Sequence, residues 1–172
     1  MLDTPSYTPG QMRGLRRVFR AMNPFMVFLW KLGMGRMFNA WPAVTGRMLV
    51  ICHRGRRSHK QHLTPVNYAR IEGQIYCTAG FGPKTDWYRN ILVEPRVELW
   101  LPQDRRRARA ADVSDAPDRL RLLRQVIIAS GFAGPLFGVD QRKLTDEQLA
   151  GITRDYRLIH FELEAADDVS RL

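Results

Sequence analysis

The sequence predicts an α+β chain that is mainly β: a small barrel of six or so mostly antiparallel strands with helices at its ends and periphery. Two observations carry that prediction. Five short β-like runs follow one another between residues 47 and 113 with a single helical interruption. The helical patterns are gathered before and after those runs, so no βα units alternate and a doubly wound parallel sheet is excluded. The 172 residues match one domain, expected over 11–172, and 45% hydrophobic content suffices for one core.

The opening "MLDTPSYTPG", residues 1–10, is rich in Pro, Gly, Ser and Thr and reads as a flexible tail. Residues 11–38 follow as N-terminal helices. Met12, Leu15, Phe19 and Met22 recur at helical spacing, with Arg13, Arg16, Arg17 and Arg20 on the remaining face. Asn23 is positioned to cap a second helix with Pro24 in its first turn, and "PFMVFLWKLGMGRMF" is then apolar apart from Lys31 and Arg36. That run is too short to span a bilayer, so it packs on the core or lies in a membrane interface.

"RMLVICH", "QHLTPVNYAR", "QIYCTAG", "VELWLP" and "RRARAADV" are the five strand-like runs. Ile71-Glu72-Gly73 marks a hairpin between the second and third. The interruption, "TDWYRNILV", has Thr85 at the N-cap position and Asp86 in its first turn, and stops before Pro95. "APDRLRLLRQVIIAS" reads as a helix with Leu120, Leu123, Ile127 and Ile128 on one side, ended by Gly131. "TDEQLA" is a short capped helix, and "DYRLIHFELE" alternates as a sixth strand.

The net charge of +10 is unevenly placed. Residues 1–60 hold eleven Lys/Arg and one acid, Asp3, whereas the remainder is balanced at sixteen of each. Such a bias marks a surface for phosphates, anionic lipid or nucleic acid. Nucleic acid is the weakest of these, because the arginines form no recognisable motif and Phe19, Phe25 and Phe28 read as buried rather than free to stack. Cys52 and Cys77 sit in apolar runs without ligand spacing, which predicts buried thiols in a reducing cytoplasm. His53, His59 and His62 straddle a proposed turn, and the one nearby thiolate, Cys52, should point to the opposite strand face from His53, so no metal site is expected.

The densest chemistry lies in "HRGRRSHK", between the first and second strands. Gly55 lets the backbone turn, and Arg54, Arg56, Arg57, Ser58 and Lys60 offer donors suited to a phosphate or carboxylate. A solvated basic hairpin is the alternative. The later "TAGFGPKTDWYRN" adds glycines, Lys84 and a helix start that could face the same anion, although it has neither Walker nor dinucleotide spacing. Trp87 and Tyr88, each taken alone, read as core anchors. No Ser-His-Asp or Cys-His arrangement is present, so an enzyme of this sequence would rely on a bound cofactor.

The order of Gly55-Arg56-Arg57-Ser58, Thr64-Pro65-Val66 with Tyr68, Gly80 and Gly82, Trp87-Tyr88 with Asn90-Ile91, and Pro95 with Val97 resembles the deazaflavin-dependent nitroreductase family. The resemblance covers roughly residues 25–163. It implies a split β-barrel related to FMN-binding flavin reductases, coenzyme F420 as cofactor, and hydride transfer to a quinone, nitro compound or other electron-poor acceptor. It further implies that Arg54, Arg56, Arg57, Ser58, Lys60, His62, Thr64 and Pro65 contact the cofactor. Thr78, Ala79, Gly80, Gly82, Lys84, Trp87 and Tyr88 would flank its phosphate and ring. Tyr68 or Tyr88 could supply a proton. The sequence departs from the family pattern at His53, Arg54, His59 and His62. FMN and heme are the alternative cofactors, and a non-catalytic lipid or fatty-acid binder is the alternative function. An anionic membrane surface reached through residues 11–38 and a homodimer are the further partners considered.

Overall fold

A computed structural model describes residues 9–40, 46–131 and 144–165. Six strands close into a barrel: β1 Met48–Arg54, β2 Gln61–Ile71, β3 Gln74–Ala79, β4 Arg96–Trp100, β5 Arg105–Asp112 and β6 Arg157–Leu163. Their order around the barrel is β1-β2-β3-β6-β5-β4, with β4 returning to β1 and every neighbouring pair antiparallel. Local hairpins account for β1–β2, β2–β3 and β4–β5. The tight β2–β3 turn places Glu72 at φ 52° and Gly73 at φ 81°, the pair of positive angles that a two-residue turn needs to match strand twist.

The period-two alternation of β1 sorts its apolar residues to two cores. Leu49 and Ile51 face the barrel interior with Tyr68, Ile75, Cys77, Leu99, Ile159 and Phe161. Val50 and Cys52 face outward, beneath Trp30 and Trp100. A third cluster forms where helix α4, Arg119–Ala129, lays Leu122, Leu123 and Val126 on Ala69, Ile71 and Leu158. Its buried face is rotated from the expected one: Leu123 is shared, but Ile128 is 37% exposed. The helix carries apolar residues around much of its circumference, so periodicity alone does not choose the face that meets the barrel.

The N-terminal region forms one helix, α1 Pro9–Leu29, rather than two, and it runs through Pro24. Inside a helix proline removes the hydrogen bond of its missing N–H and crowds the carbonyl one turn back, a cost the continuous helix carries here. The interruption comes later, in a wide turn at Trp30–Met34 where Gly33 takes φ 81°, followed by the short helix α2, Gly35–Phe38. Gly35 is required there because a Cβ would stand 2.9 Å from the Trp30 ring. Phe25 and Phe28, expected to be buried, are 60% and 56% exposed, since the helix turns its other side to the barrel. The Phe19 side chain and residues 1–8 lie outside the described residues.

Helix α3, Asp86–Val93, plugs one end of the barrel with Trp87, Tyr88 and Ile91. Helix α5, Asp146–Ile152, begins with a reciprocal capping box between Thr145 and Gln148.

Candidate functional site

The loop Gly55–Lys60 is closed by backbone bonds from Gly55 N–H to Lys60 O (2.9 Å) and from His59 N–H to Gly55 O (2.8 Å). A Cβ on Gly55 would stand 2.5 Å from Ser58 Oγ and 2.8 Å from His62 Nε2, so any larger residue would displace the two side chains that meet over this turn. Arg54, Arg57, Ser58, His59, Lys60 and His62 are all exposed. Ser58 Oγ accepts the Lys60 N–H at 3.4 Å and lies 3.5 Å from His62 Nε2.

Arg56 behaves differently from its neighbours. Its Nη1 donates to Asn90 Oδ1 at 2.9 Å, its backbone N–H donates to the same oxygen at 3.2 Å, and Nη2 reaches Asp86 Oδ1 at 3.4 Å. Only 20% of its side chain is exposed. Arg56 therefore fastens the loop to α3 instead of projecting into solvent. The other oxygen of Asp86 pairs with Arg20 of α1 at 3.3 Å, so the one acid in the first turn of α3 faces two arginines. Arg57 and Lys60 of the loop and Lys84, just ahead of α3, are exposed at the barrel end that α3 plugs, the mouth of the site.

Beneath the loop lies a buried polar string. Asn90 Nδ2 is 3.3 Å from His53 Nδ1, and His53 Nε2 is 3.0 Å from Thr64 Oγ1. His53 is 3% exposed, and burial lowers its pKa to about 4, with the Arg54 backbone opposing and His62 adding to the shift. Its ring stacks on His62, its register partner on β2, at 5.7 Å. Nothing in the local sequence joins His53 to Asn90. The asparagine stands in the Trp-Tyr-x-Asn pattern, which was its only sequence signal.

The strand end Thr78–Gly82 reaches the same region through the chain that leads to α3. Ala79 ends β3 against Arg157, Gly80 lies over Tyr156, and Gly82 takes φ 67° with no space for a Cβ, which would stand 2.7 Å from the Asp155 carbonyl oxygen. Pro65 pairs with Val50 in the β1–β2 register. Lys84 is exposed. Thr85 has the extended backbone of an N-cap, but its side chain makes no capping bond, and its buried Oγ1 has no hydrogen-bond partner among the described residues. That orphaned hydroxyl at the start of α3 is a polar atom a ligand could satisfy.

Trp87 and Tyr88 are both within the interior cluster. The Tyr88 hydroxyl donates to Asp112 Oδ2, and burial together with that carboxylate pushes its pKa up to about 12. Asp112 is held in turn by the Ser114 N–H and hydroxyl. Tyr68 is 7% exposed, and burial raises its pKa. Both thiols are buried and raised in pKa, Cys77 by burial alone and Cys52 chiefly so. Among the described residues no group of three or more His, Cys, Asp or Glu is arranged to hold a metal.

The model of the F420H(2)-dependent quinone reductase family matches residues 31–145, and the chain belongs to that family. A Mycobacterium tuberculosis protein whose name places it among F420H(2)-dependent quinone reductases is 31% identical over 77 residues, 43% of this chain and 64% of the relative. The chain thus matches under two thirds of that relative's length. A conserved hypothetical protein of the same organism superposes with a TM-score of 0.50 at 18% identity, covering 76% of this chain and 79% of that one. A solved F420-H2 dependent reductase superposes with a TM-score of 0.50 at 17% identity, covering 67% of this chain and 94% of that one. These likenesses establish the split β-barrel fold.

Proposed function

We propose that this chain is an F420H2-dependent reductase acting on a quinone or a comparable electron-poor acceptor such as a nitro compound. The observation that carries the proposal is the cationic loop fastened to α3: Arg57, Ser58 and Lys60 are exposed on it, Lys84 is exposed just ahead of α3, and Asp86 faces Arg20 and Arg56. Such a loop suits a ligand with a phosphate and an acidic tail, and the buried Thr85 Oγ1, without a partner among the described residues, would be a further contact at the start of α3.

When bound, the reduced deazaflavin supplies the hydride. The protein's part is to hold and orient. Arg57, Lys60 and Lys84 would neutralise the anionic tail, and Ser58 would donate a hydrogen bond to it. Arg56 would act one step back, by fixing the loop to α3. The chain from Thr78 to Gly82 would flank the ring, and the α3 plug of Trp87, Tyr88 and Ile91 would wall off the barrel interior from water. Tyr88 is held by Asp112 and would brace this wall rather than exchange a proton.

An apolar acceptor is consistent with the outer surface of α1. Val18, Met22, Phe25 and Phe28 are exposed there and Leu32 just beyond it, with Arg17, Lys31 and Arg36 also exposed. No helix among the described residues is long and apolar enough to cross a membrane. This surface fits an anionic membrane interface from which a lipid-soluble acceptor could be drawn. Flotation with anionic and neutral vesicles tests that part, and equal recovery on both removes it.

F420 binding followed by fluorescence, with FMN as control, tests the central proposal on wild type and on an Arg57→Ala/Lys60→Ala variant. Selective F420 binding that weakens in the variant, with menadione-dependent oxidation of F420H2 in a single turnover, is the expected result. Wild type that prefers FMN, or that oxidises F420H2 no faster than the protein-free blank, refutes it.

A further inference from the structure

We infer that His53 is a positioning residue of the mouth: neutral and protonated on Nε2, it directs the Thr64 hydroxyl as a hydrogen-bond donor and holds Asn90 in the one orientation that secures the Arg56 loop. The assignment follows from donor and acceptor chemistry. The backbone N–H and Nη1 of Arg56 are obligate donors, and both meet the same atom of Asn90 at 3.2 and 2.9 Å, so that atom is the carboxamide oxygen. The amide nitrogen then faces His53 Nδ1 at 3.3 Å as a donor, which requires a lone pair on Nδ1. The imidazole hydrogen must sit on Nε2, where it is donated to Thr64 Oγ1 at 3.0 Å. Thr64 Oγ1 has accepted, and its own hydrogen remains to be donated. Thr64 is half-buried on the inner face of β2, two residues from His62 and in register with Ile51. A carbonyl oxygen or ring nitrogen of a bound ligand is the kind of acceptor that hydrogen fits.

The surroundings favour the neutral ring. β2 presents His62 to it, the loop presents the Arg56 guanidinium beyond Asn90, and α3 presents Asn90 itself, with Asp86 engaged by two arginines. The Arg54 backbone favours the charged ring, but no carboxylate among the described residues pairs with the imidazole, and a second proton would set N–H against N–H at Asn90. One residue of β1 therefore ties together the β2 wall, the anion loop that leads into it and the α3 plug, which comes from a separate part of the chain. This rests on the proposed function only in taking the mouth as the F420 site.

Long-range proton–nitrogen NMR on the full chain reads the tautomer directly. Wild type should show Nε2 protonated and Nδ1 bare near pH 7. Asn90→Asp replaces the donor by an acceptor and should put a proton on Nδ1, either as the other tautomer or as an imidazolium. Fluorescence titration with F420 reads the consequence: His53→Ala should weaken binding about tenfold. His53→Asn, whose carboxamide oxygen can take the place of Nδ1, should recover part of that loss. A wild-type ring protonated on Nδ1, an Asn90→Asp spectrum unchanged from wild type, or undiminished F420 affinity in His53→Ala overturns the inference. If wild type binds no F420 the reductase reading falls, and the two NMR outcomes still decide whether His53 and Asn90 are arranged as described.

Discussion

His53 should make this protein measurably weaker in mild acid. Its pKa is lowered by burial to about 4, whereas the unfolded chain titrates near the ordinary value of 6.5. Between those values the unfolded state binds the proton and the native state does not, so stability falls as pH falls. The contribution is fully present above about pH 6.5 and is lost progressively down to about pH 4. From the two values, the loss attributable to this ring between pH 7 and pH 5 is about 2 kcal/mol, approaching about 3 kcal/mol at the lower limit. Against a typical domain stability of about 5–15 kcal/mol, that is easily resolved. Urea unfolding followed by tryptophan fluorescence at pH 7 and pH 5, on wild type and His53→Asn, isolates it. Carboxylates contribute equally to both proteins, and their share cancels in the difference between the two pH dependences. The variant should start less stable and lose about 2 kcal/mol less on acidification. Equal losses in the two proteins would show that the ring is not held neutral by its burial.

Tyr88→Phe should lower stability by about 1–2 kcal/mol through loss of the bond to Asp112, while single-turnover oxidation of F420H2 persists; a turnover loss without a stability loss would reinstate Tyr88 as a proton donor. Its pKa is raised to about 12, so this contribution is present below about pH 10 and fades as pH rises through about 12, and the variant should show a flatter alkaline limb in a denaturation series. Gly82→Ala combines φ 67° with a Cβ 2.7 Å from the Asp155 carbonyl oxygen and should cost about 2 kcal/mol or more, read as a drop in thermal midpoint. Gly73→Ala, at φ 81° in open space, should cost only about 1 kcal/mol. Arg56→Ala should reduce both stability and F420 affinity, whereas exposed Arg57→Ala should reduce affinity alone, with a binding curve less sensitive to salt; matching stability losses would contradict the division of roles.

Much of the barrel was legible because hairpins are local. The turn at Glu72-Gly73, the alternation through β6 and the capped helix start at Thr145 each depend on a few consecutive residues. What failed was what depends on a partner. Pro24 reads as a helix start in a chain considered alone, yet α1 continues through it, and the break falls at Gly33. Phe25 and Phe28 have the character of core residues but lie on the side of α1 that turns away from the barrel. The face of α4 was misjudged for the same reason. The insertion of β6 between β3 and β5 left no local trace, because its partners are set by barrel closure.

The candidate site divides along the same line. Composition and order determined that residues 54–60 carry a cationic loop with a glycine turn, that a second glycine-bearing segment leads into a helix, and that the ordered motifs belong to one family. Sequence alone treated Arg56 and Arg57 as equivalent. Only the tertiary structure separated them, because packing α3 into the barrel end brings Asn90 and Asp86 to Arg56 and leaves Arg57 in solvent. It also turned His53 from one of three histidines near a turn into the buried junction of Thr64 and Asn90. A hydrogen bond between residues 37 positions apart has no period to read, so its existence follows from how the strand and the helix are placed in space.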